Sequence, residues 1–118
     1  MFKSFTEMPV WQKSFDLAFQ VFGLTANLPR SEDYSLTSQI RRSSSSIPSN
    51  ISEAFGRSTN KDKVHFYIIA RGSAYETQNH LLYGVRVGYF DNKKAEFLIN
   101  EYDSLIHDIN KIIKTLNN

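Results

Sequence analysis

Cysteine is absent from this chain of 118 residues. Without thiols the protein has no disulfide scaffold, no thiolate metal site and no cysteine nucleophile. Only five glycines and three prolines interrupt it, and nearly all of them stand where a helix would end or bend. No apolar run is long enough to span a membrane, and no stretch alternates apolar and polar residues as a strand does. These absences favour a helical protein.

Neither sign of charge dominates the composition. Lysine and arginine total 14 against 12 aspartates and glutamates, and hydrophobic residues make up 41%, close to the average for globular domains. The length suffices for one domain with a real core and is too short for two. The first seven residues contain an acid and no apolar signal segment, which predicts a cytoplasmic protein.

Apolar residues recur at helical spacing in four segments, which predicts helices over 9–28, 36–56, 59–87 and 92–116. The connections are short and force neighbouring helices to run antiparallel. The predicted fold is therefore all-α, a single antiparallel up-down-up-down four-helix bundle. Pro9 suits the first turn of the first helix, whereas Gly56, in the left-handed conformation, and Gly88 end the second and third. Candidate N-caps precede the other helices: Ser35 or Thr37, Ser58 or Thr59, and Asp91 or Asn92.

Pro48 stands in the middle of the second segment. It removes a backbone hydrogen bond and collides with the preceding turn, which predicts a kink between Ser44 and Pro48. The alternative is a break, with Ser46 capping a new helix that has Pro48 in its first turn. The run of four serines, 43–46, favours close helix packing because small side chains let backbones approach.

The first helix is apolar over most of its circumference. A surface helix usually has an apolar arc of about 100° or somewhat more, and a small bundle covers a helix on one side only. We therefore interpret this helix as part of a subunit interface, and the alternative is a crowded core with a few exposed aromatics. The candidate interface residues are aromatic side chains of the first and third helices: Trp11, Phe15, Phe19, Phe22 and Phe66.

Several polar residues fall within otherwise packed stretches. We interpret them as structural groups that fix the register between helices or subunits through buried or interfacial ion pairs and hydrogen bonds. Because burying an unpaired carboxylate is costly, each acid should have a basic or amide partner. The residues concerned are Arg41, Arg42, Asn50, Glu53, Arg71 and Glu76.

Basic residues are uneven once the bundle topology is assumed. The end that carries both termini has six basic residues against three acidic ones, whereas the other end has four of each. Cyclic association would multiply this imbalance into a positive rim that attracts polyanions such as RNA or DNA. The alternative is an ordinary solvated helix end. The candidate nucleic-acid-binding residues are Arg57, Lys61, Lys63, Lys111 and Lys114.

Catalytic and metal patterns are weak. A di-iron bundle needs Glu-x-x-His, but Glu76 and His80 are four positions apart, and His65 and His107 have no such motif. There is no G-x-S-x-G elbow and no phosphate-cradling glycine loop. We therefore predict a protein that is not an enzyme and that has no catalytic residue, metal or cofactor.

Four segments carry a resemblance to a known family. They are Val10–Lys13, Leu36–Arg42, Ser46–Arg57, and Ala70–Ser73 with Glu76. The chain resembles the four-helix-bundle proteins encoded in intervening sequences of bacterial 23S ribosomal RNA genes, and the accessory protein of diversity-generating retroelements is similar. Ala54 departs from the glycine that is usual in the family.

The resemblance implies a ring-shaped homo-oligomer, a pentamer, with no catalytic activity. The retroelement relatives imply nucleic acid or a reverse transcriptase as a partner. Two hypotheses follow. The first is a ring that binds nucleic acid or a nucleic-acid enzyme through its basic rim. The second is a structural or protein-interaction module without a nucleic-acid role.

Overall fold

The computed structural model describes all 118 residues and contains four α-helices and no strand, which confirms the prediction of an all-α four-helix bundle. Two short 3₁₀ turns, Phe5–Glu7 and Arg30–Glu32, precede the first and second helices. The helices are α1 (Pro9–Leu24), α2 (Leu36–Phe55), α3 (Asn60–Arg86) and α4 (Asn92–Asn117).

The helices are arranged in chain order around the bundle. Each helix packs along the next and α4 packs against α1, whereas no Cα atoms of the diagonal pairs, α1–α3 and α2–α4, approach within 8 Å. Hydrogen bonds join the middle of α2 to the middle of α3, as in Ser43–Thr77, and the end of α2 to the start of α3, as in Ala54–Lys63. This order of contacts shows that α2 and α3 run in opposite directions. One end of the bundle therefore holds the α2–α3 turn.

The core is built from one face of each helix. Burial of these apolar side chains is the main stabilising contribution, at roughly 25 cal/mol per Å² removed from water. The largest side chains that are fully buried are apolar or aromatic: Leu17, Ile40, Ile47, Ile51, Leu81, Tyr102, Leu105 and Ile109.

Small residues line the contact between α2 and α3. The hydroxyls of Ser43 and Thr77 lie 2.8 Å apart in the interior, and Ser73 donates to Ser46 across 3.1 Å. Hydroxyl groups thus satisfy one another where the two backbones approach. Ser43 and Ser46 of the serine run thus serve the contact between these helices, whereas Ser44 and Ser45 donate to carbonyls of their own helix.

The second helix continues through Pro48 without a break. Pro48 lies inside α2 and is buried, so the alternative of a new helix capped by Ser46 is wrong. Ser46 instead accepts hydrogen bonds from the Asn50 side-chain amide at both its carbonyl and its hydroxyl. The kink itself stays a prediction.

The predicted helix ends are confirmed in some places and wrong in others. The Thr59 and Asp91 side chains cap α3 and α4, and Gly88 has a φ of +87° after α3. The first helix ends at Leu24 rather than 28, because the chain tightens into i→i+3 turns such as Leu28 N–H to the Thr25 carbonyl.

Two capping predictions are wrong. Ser35 precedes α2 without a side-chain cap, and the Glu32 carboxylate accepts from the Leu36 N–H instead. Gly56 has a φ of −81°, so it is right-handed rather than left-handed. A left-handed cap is not needed there because the Lys63 ammonium donates to the last carbonyls of α2.

Tyr102 gives a prediction about stability. Its side chain is 0% exposed and its hydroxyl has no hydrogen-bond partner, so we expect Tyr102→Phe to raise the free energy of unfolding by about 1 kcal/mol. Burial also raises the pKa of Tyr102 above its ordinary value of 10.0. Above pH 10 the Tyr102 phenol loses its proton in the unfolded chain but keeps it in the folded chain, so the free energy of unfolding falls as the pH rises. This fall should be less steep in Tyr102→Phe, which lacks the phenol.

Urea unfolding of both proteins between pH 7 and 11 measures this difference. Tyr34→Phe is the control because Tyr34 is 97% exposed. A loss of stability in Tyr102→Phe at pH 7 would contradict the prediction, since it would show that the hydroxyl has a partner.

Candidate nucleic-acid and assembly surfaces

The five basic residues that the sequence singles out lie at one end of the bundle. Lys63 bonds to the end of α2, and Asn60, at the start of α3, donates to the Leu116 carbonyl near the end of α4. A cleft between Pro9 and Lys111 places the start of α1 at the same end. We call this surface the basic end; its basic side chains are those of Arg57, Lys61, Lys63, Lys111 and Lys114.

Two of these five side chains already have partners within the chain. The Arg57 guanidinium lies 3.2 Å from the Glu53 carboxylate and 4.6 Å from the centre of the Phe66 ring. Lys63 donates to the carbonyls of Ala54 at 3.0 Å and Phe55 at 3.2 Å. Lys63 thus neutralises the negative end of the α2 dipole.

The other three cations are free. Lys61, Lys111 and Lys114 are exposed, and no carboxylate lies within ion-pair distance of any of them. Lys114 stands in the last turn of α4, where the negative end of the helix dipole favours a cation. Three ammonium groups at the basic end are therefore available to an anionic partner.

The outer face of α1 carries large aromatic side chains that are exposed to solvent. Phe15, Phe19 and Phe22 are 55%, 74% and 56% exposed. Phe15 stacks on Trp11 at 4.6 Å and Phe22 lies under the Arg41 guanidinium, whereas Phe19 has no aromatic or cationic partner. We call these three phenylalanines the α1 face. Trp11 itself is half-buried against the core.

A second apolar surface lies on the outside of α3. Its large side chains stand on both sides of the exposed Gly72, and they are 39–59% exposed. We call this surface the α3 face; it consists of Ile68, Ile69, Tyr75, Leu82 and Tyr83. Phe66 lies to one side of it and is half-buried against the core. Because α1 and α3 lie diagonally across the bundle, the two faces are separate.

None of the six polar residues predicted at packed positions is fully buried, and three of them are exposed. Glu53 and Glu76 are 52% and 57% exposed and pair with Arg57 and His80 one turn away on their own helices. Burial within the chain is therefore wrong for both carboxylates. Their position at a subunit interface stays a prediction.

The predicted basic and amide groups differ in their roles. Arg41 donates to the Thr25 hydroxyl at 2.8 Å, which ties α2 to α1, and Arg71 donates to the Asn110 amide oxygen at 2.8 Å, which ties α3 to α4. Asn50 bonds within its own helix, to Ser46, and does not join two helices. Arg42 is exposed.

Gln78 is a buried polar residue that the candidate residues from the sequence do not include. Its amide donates to the Ile99 carbonyl at 3.0 Å and to the Asp103 carboxylate at 2.8 Å. The buried amide thus ties α3 to α4 beside Arg71. The sequence signal for this role is an amide side chain at a core position, because a buried amide needs hydrogen-bond partners.

Two structural findings bear on other classes of site. No group of three or more histidine and acidic side chains converges as metal ligands would, and Glu76 and His80 form a pair with a separation of 3.3 Å. None of the four helices is both long and apolar enough to span a membrane.

Comparisons with known proteins match nearly the whole chain. A family model described as 23S rRNA-intervening sequence protein matches residues 6–114. The fold is similar to the crystal structure of a protein with unknown function from the S23 ribosomal protein family of Bacteroides thetaiotaomicron VPI-5482. The identity is 27% and the TM-score 0.80, and the match covers 89% of this chain and 98% of that one. No curated protein matches the chain.

Proposed function

The chain belongs to the 23S rRNA-intervening sequence protein family, and from this premise we propose that it is a ring-forming, non-catalytic bundle that binds nucleic acid through its basic end. The observation that carries the proposal is the set of three exposed lysines without anionic partners, Lys61, Lys111 and Lys114. Ammonium groups that are held at one end of a rigid bundle attract the phosphate backbone without reading sequence.

Assembly into a ring would strengthen nucleic-acid binding, because the basic end of a single chain offers only a few contacts to a phosphate backbone. A cyclic assembly places the basic ends of all copies on the same rim, so that the number of free lysines grows with the number of subunits. A field of that kind raises both the affinity for polyanions and its dependence on salt.

The two apolar faces support a ring rather than a simple dimer. A two-fold dimer uses the same surface on both subunits, whereas the α1 face and the α3 face lie on diagonally opposite helices of the bundle. Contact between the α1 face of one copy and the α3 face of the next is heterologous, and repetition of such a contact closes into a ring when the rotation permits.

Gly72 favours a close neighbour on the α3 face. A Cβ atom added to Gly72 would meet nothing within 4 Å, so the fold of the single chain does not require glycine there. Glycine in the middle of a helix costs about 0.5–1 kcal/mol relative to alanine. Its flat surface in the centre of the apolar face suits the approach of another backbone.

The test of nucleic-acid binding removes the three free charges together. In the Lys61→Gln, Lys111→Gln, Lys114→Gln variant we expect the affinity for a labelled 30-nucleotide RNA or DNA to fall at least about tenfold at low salt, with a shallower salt dependence. Fluorescence anisotropy over a salt series measures both quantities.

A charge-matched control removes three basic residues from the other end, through Arg30→Gln, Arg86→Gln and Lys93→Gln. Equal weakening by the two triple variants would contradict a binding surface at the basic end. Since Arg57 and Lys63 have partners within the chain, their substitution would confound binding with stability, and they are left intact.

The second candidate function is a protein-interaction module, and the exposed α1 and α3 faces favour it. Its partner would be a protein such as a reverse transcriptase or another nucleic-acid enzyme. An oligomer that binds neither RNA nor DNA at low salt would support this candidate and overturn the first.

A further inference from the structure

A cleft between α1 and α4 lies away from the basic end and beside the α1 face. It is an open groove of about 520 Å³ between the end of α1 and the start of α4, and this volume is within the usual range for small-molecule sites. Leu24 and Leu98 form an apolar floor, Phe97 forms a wall, and the side chains of Lys93 and Lys94 stand among the lining residues.

The charge of this cleft is unbalanced. Lys93 and Lys94 are exposed and have no carboxylate within ion-pair distance, and no acidic residue lines the cleft. The nearest carboxylates along the helices lie elsewhere or have other roles: Asp16 accepts from Gln20, Asp91 caps α4 and Glu96 lines the cleft between α3 and α4. The two ammonium groups are thus left without a partner in the chain.

Four other clefts of the bundle lack this combination. The cleft between α3 and α4, of about 490 Å³, contains both Arg86 and Glu96, and the cleft beside the start of α1 contains both Asp108 and Lys111. Two smaller clefts contain no lysine, arginine or carboxylate. An apolar floor with an excess of positive charge therefore distinguishes the α1–α4 cleft.

Gly23 leaves the cleft open on the α1 side. A Cβ atom added there would meet nothing within 4 Å, so the space above this glycine is not needed for packing within the chain. From these features we infer that the α1–α4 cleft binds a small amphipathic anion, whose apolar body lies on Leu24, Leu98 and Phe97 and whose acidic group lies between Lys93 and Lys94.

The probe is 8-anilinonaphthalene-1-sulfonate, which has an aromatic body and a single anionic group and whose fluorescence rises in apolar surroundings. We expect one site per chain, displacement by decanoate and no displacement by inorganic phosphate. In Lys93→Gln, Lys94→Gln the affinity should fall at least about tenfold, which corresponds to 1.4 kcal/mol, whereas Lys111→Gln, Lys114→Gln should leave it unchanged.

A size series at one position tests the cleft itself. Gly23→Ala adds one carbon and should keep the binding, whereas Gly23→Leu fills the space and should abolish it. Both variants improve helix propensity, so neither is expected to lose the fold. Binding that survives Gly23→Leu together with Lys93→Gln, Lys94→Gln would place the probe on the exposed aromatic faces and overturn the inference.

The same variants also show whether a second copy of the chain, rather than a small anion, occupies the α1–α4 cleft. If Gly23→Leu lowers the native mass and leaves probe binding intact, the cleft is a seat for a second copy, and the inference is wrong. Because these measurements use no nucleic acid, their failure leaves the proposed function of the basic end untouched.

Discussion

Phe19→Glu should reduce the native mass of the protein from that of an assembly to that of a single chain of 13.6 kDa. Phe19 is 74% exposed and has no aromatic or cationic partner in the chain, so its loss should cost the monomer little. At the centre of an interface the same change buries a charge without a partner and removes an aromatic anchor, which together cost about 2–4 kcal/mol per contact. Light scattering at micromolar concentration measures the mass.

The complementary variant is Tyr75→Glu, in the middle of the α3 face beside Gly72. It should also be monomeric if the α3 face meets the α1 face of the next copy. Tyr34→Glu is the control, because Tyr34 is 97% exposed in the turn before α2 and belongs to neither face. Its native mass should equal that of the unsubstituted protein.

A mixture of the two monomeric variants separates a heterologous contact from an isologous one. Phe19→Glu retains an intact α3 face and Tyr75→Glu retains an intact α1 face, so the mixture should form a dimer of one copy of each and grow no further. If two α1 faces met each other, Tyr75→Glu would assemble alone and the mixture would gain nothing. An unsubstituted protein that is already monomeric would overturn the ring proposal.

Sequence periodicity predicted most of the fold because each helix has one continuous apolar row. The caps Thr59 and Asp91 could also be predicted, since a hydroxyl or carboxylate before such a row satisfies free N–H groups of the first turn. The excess apolar width of the first helix predicted side chains that the bundle does not cover, and Phe15, Phe19 and Phe22 are exposed as that width implies.

The site was harder to predict because it depends on how each helix is rotated. Glu53 and Glu76 belong to stretches rich in core residues, yet both side chains point outward and pair on their own helix. Lys63 looks like a free rim charge in the sequence, but the α2–α3 turn brings it to the carbonyls of Ala54 and Phe55. Which cations stay free is a property of the folded ends.

Gly84→Ala should be among the most destabilising single methyl additions in this chain. A Cβ atom at Gly84 would overlap the ring of Phe90, which is only 5% exposed and belongs to the core. The ring cannot move away freely, because the Tyr89 and Phe90 N–H groups both donate to the Gly84 carbonyl. Overpacking of this kind typically costs about 1–3 kcal/mol, and we expect the upper part of that range.

Gly23→Ala is the matched control for this substitution. Gly23 is also helical, but a Cβ atom there has open space, so the change should stabilise the protein by about 0.5–1 kcal/mol through the lower entropy of the unfolded chain. Urea unfolding should therefore separate the two variants by roughly 3 kcal/mol.

Combining Gly84→Ala with Phe90→Leu, which shortens the obstructing side chain, should recover part of the loss of stability, since the effects of substitutions at contacting residues are coupled. Additive effects of these two changes would show that the penalty does not come from contact with Phe90.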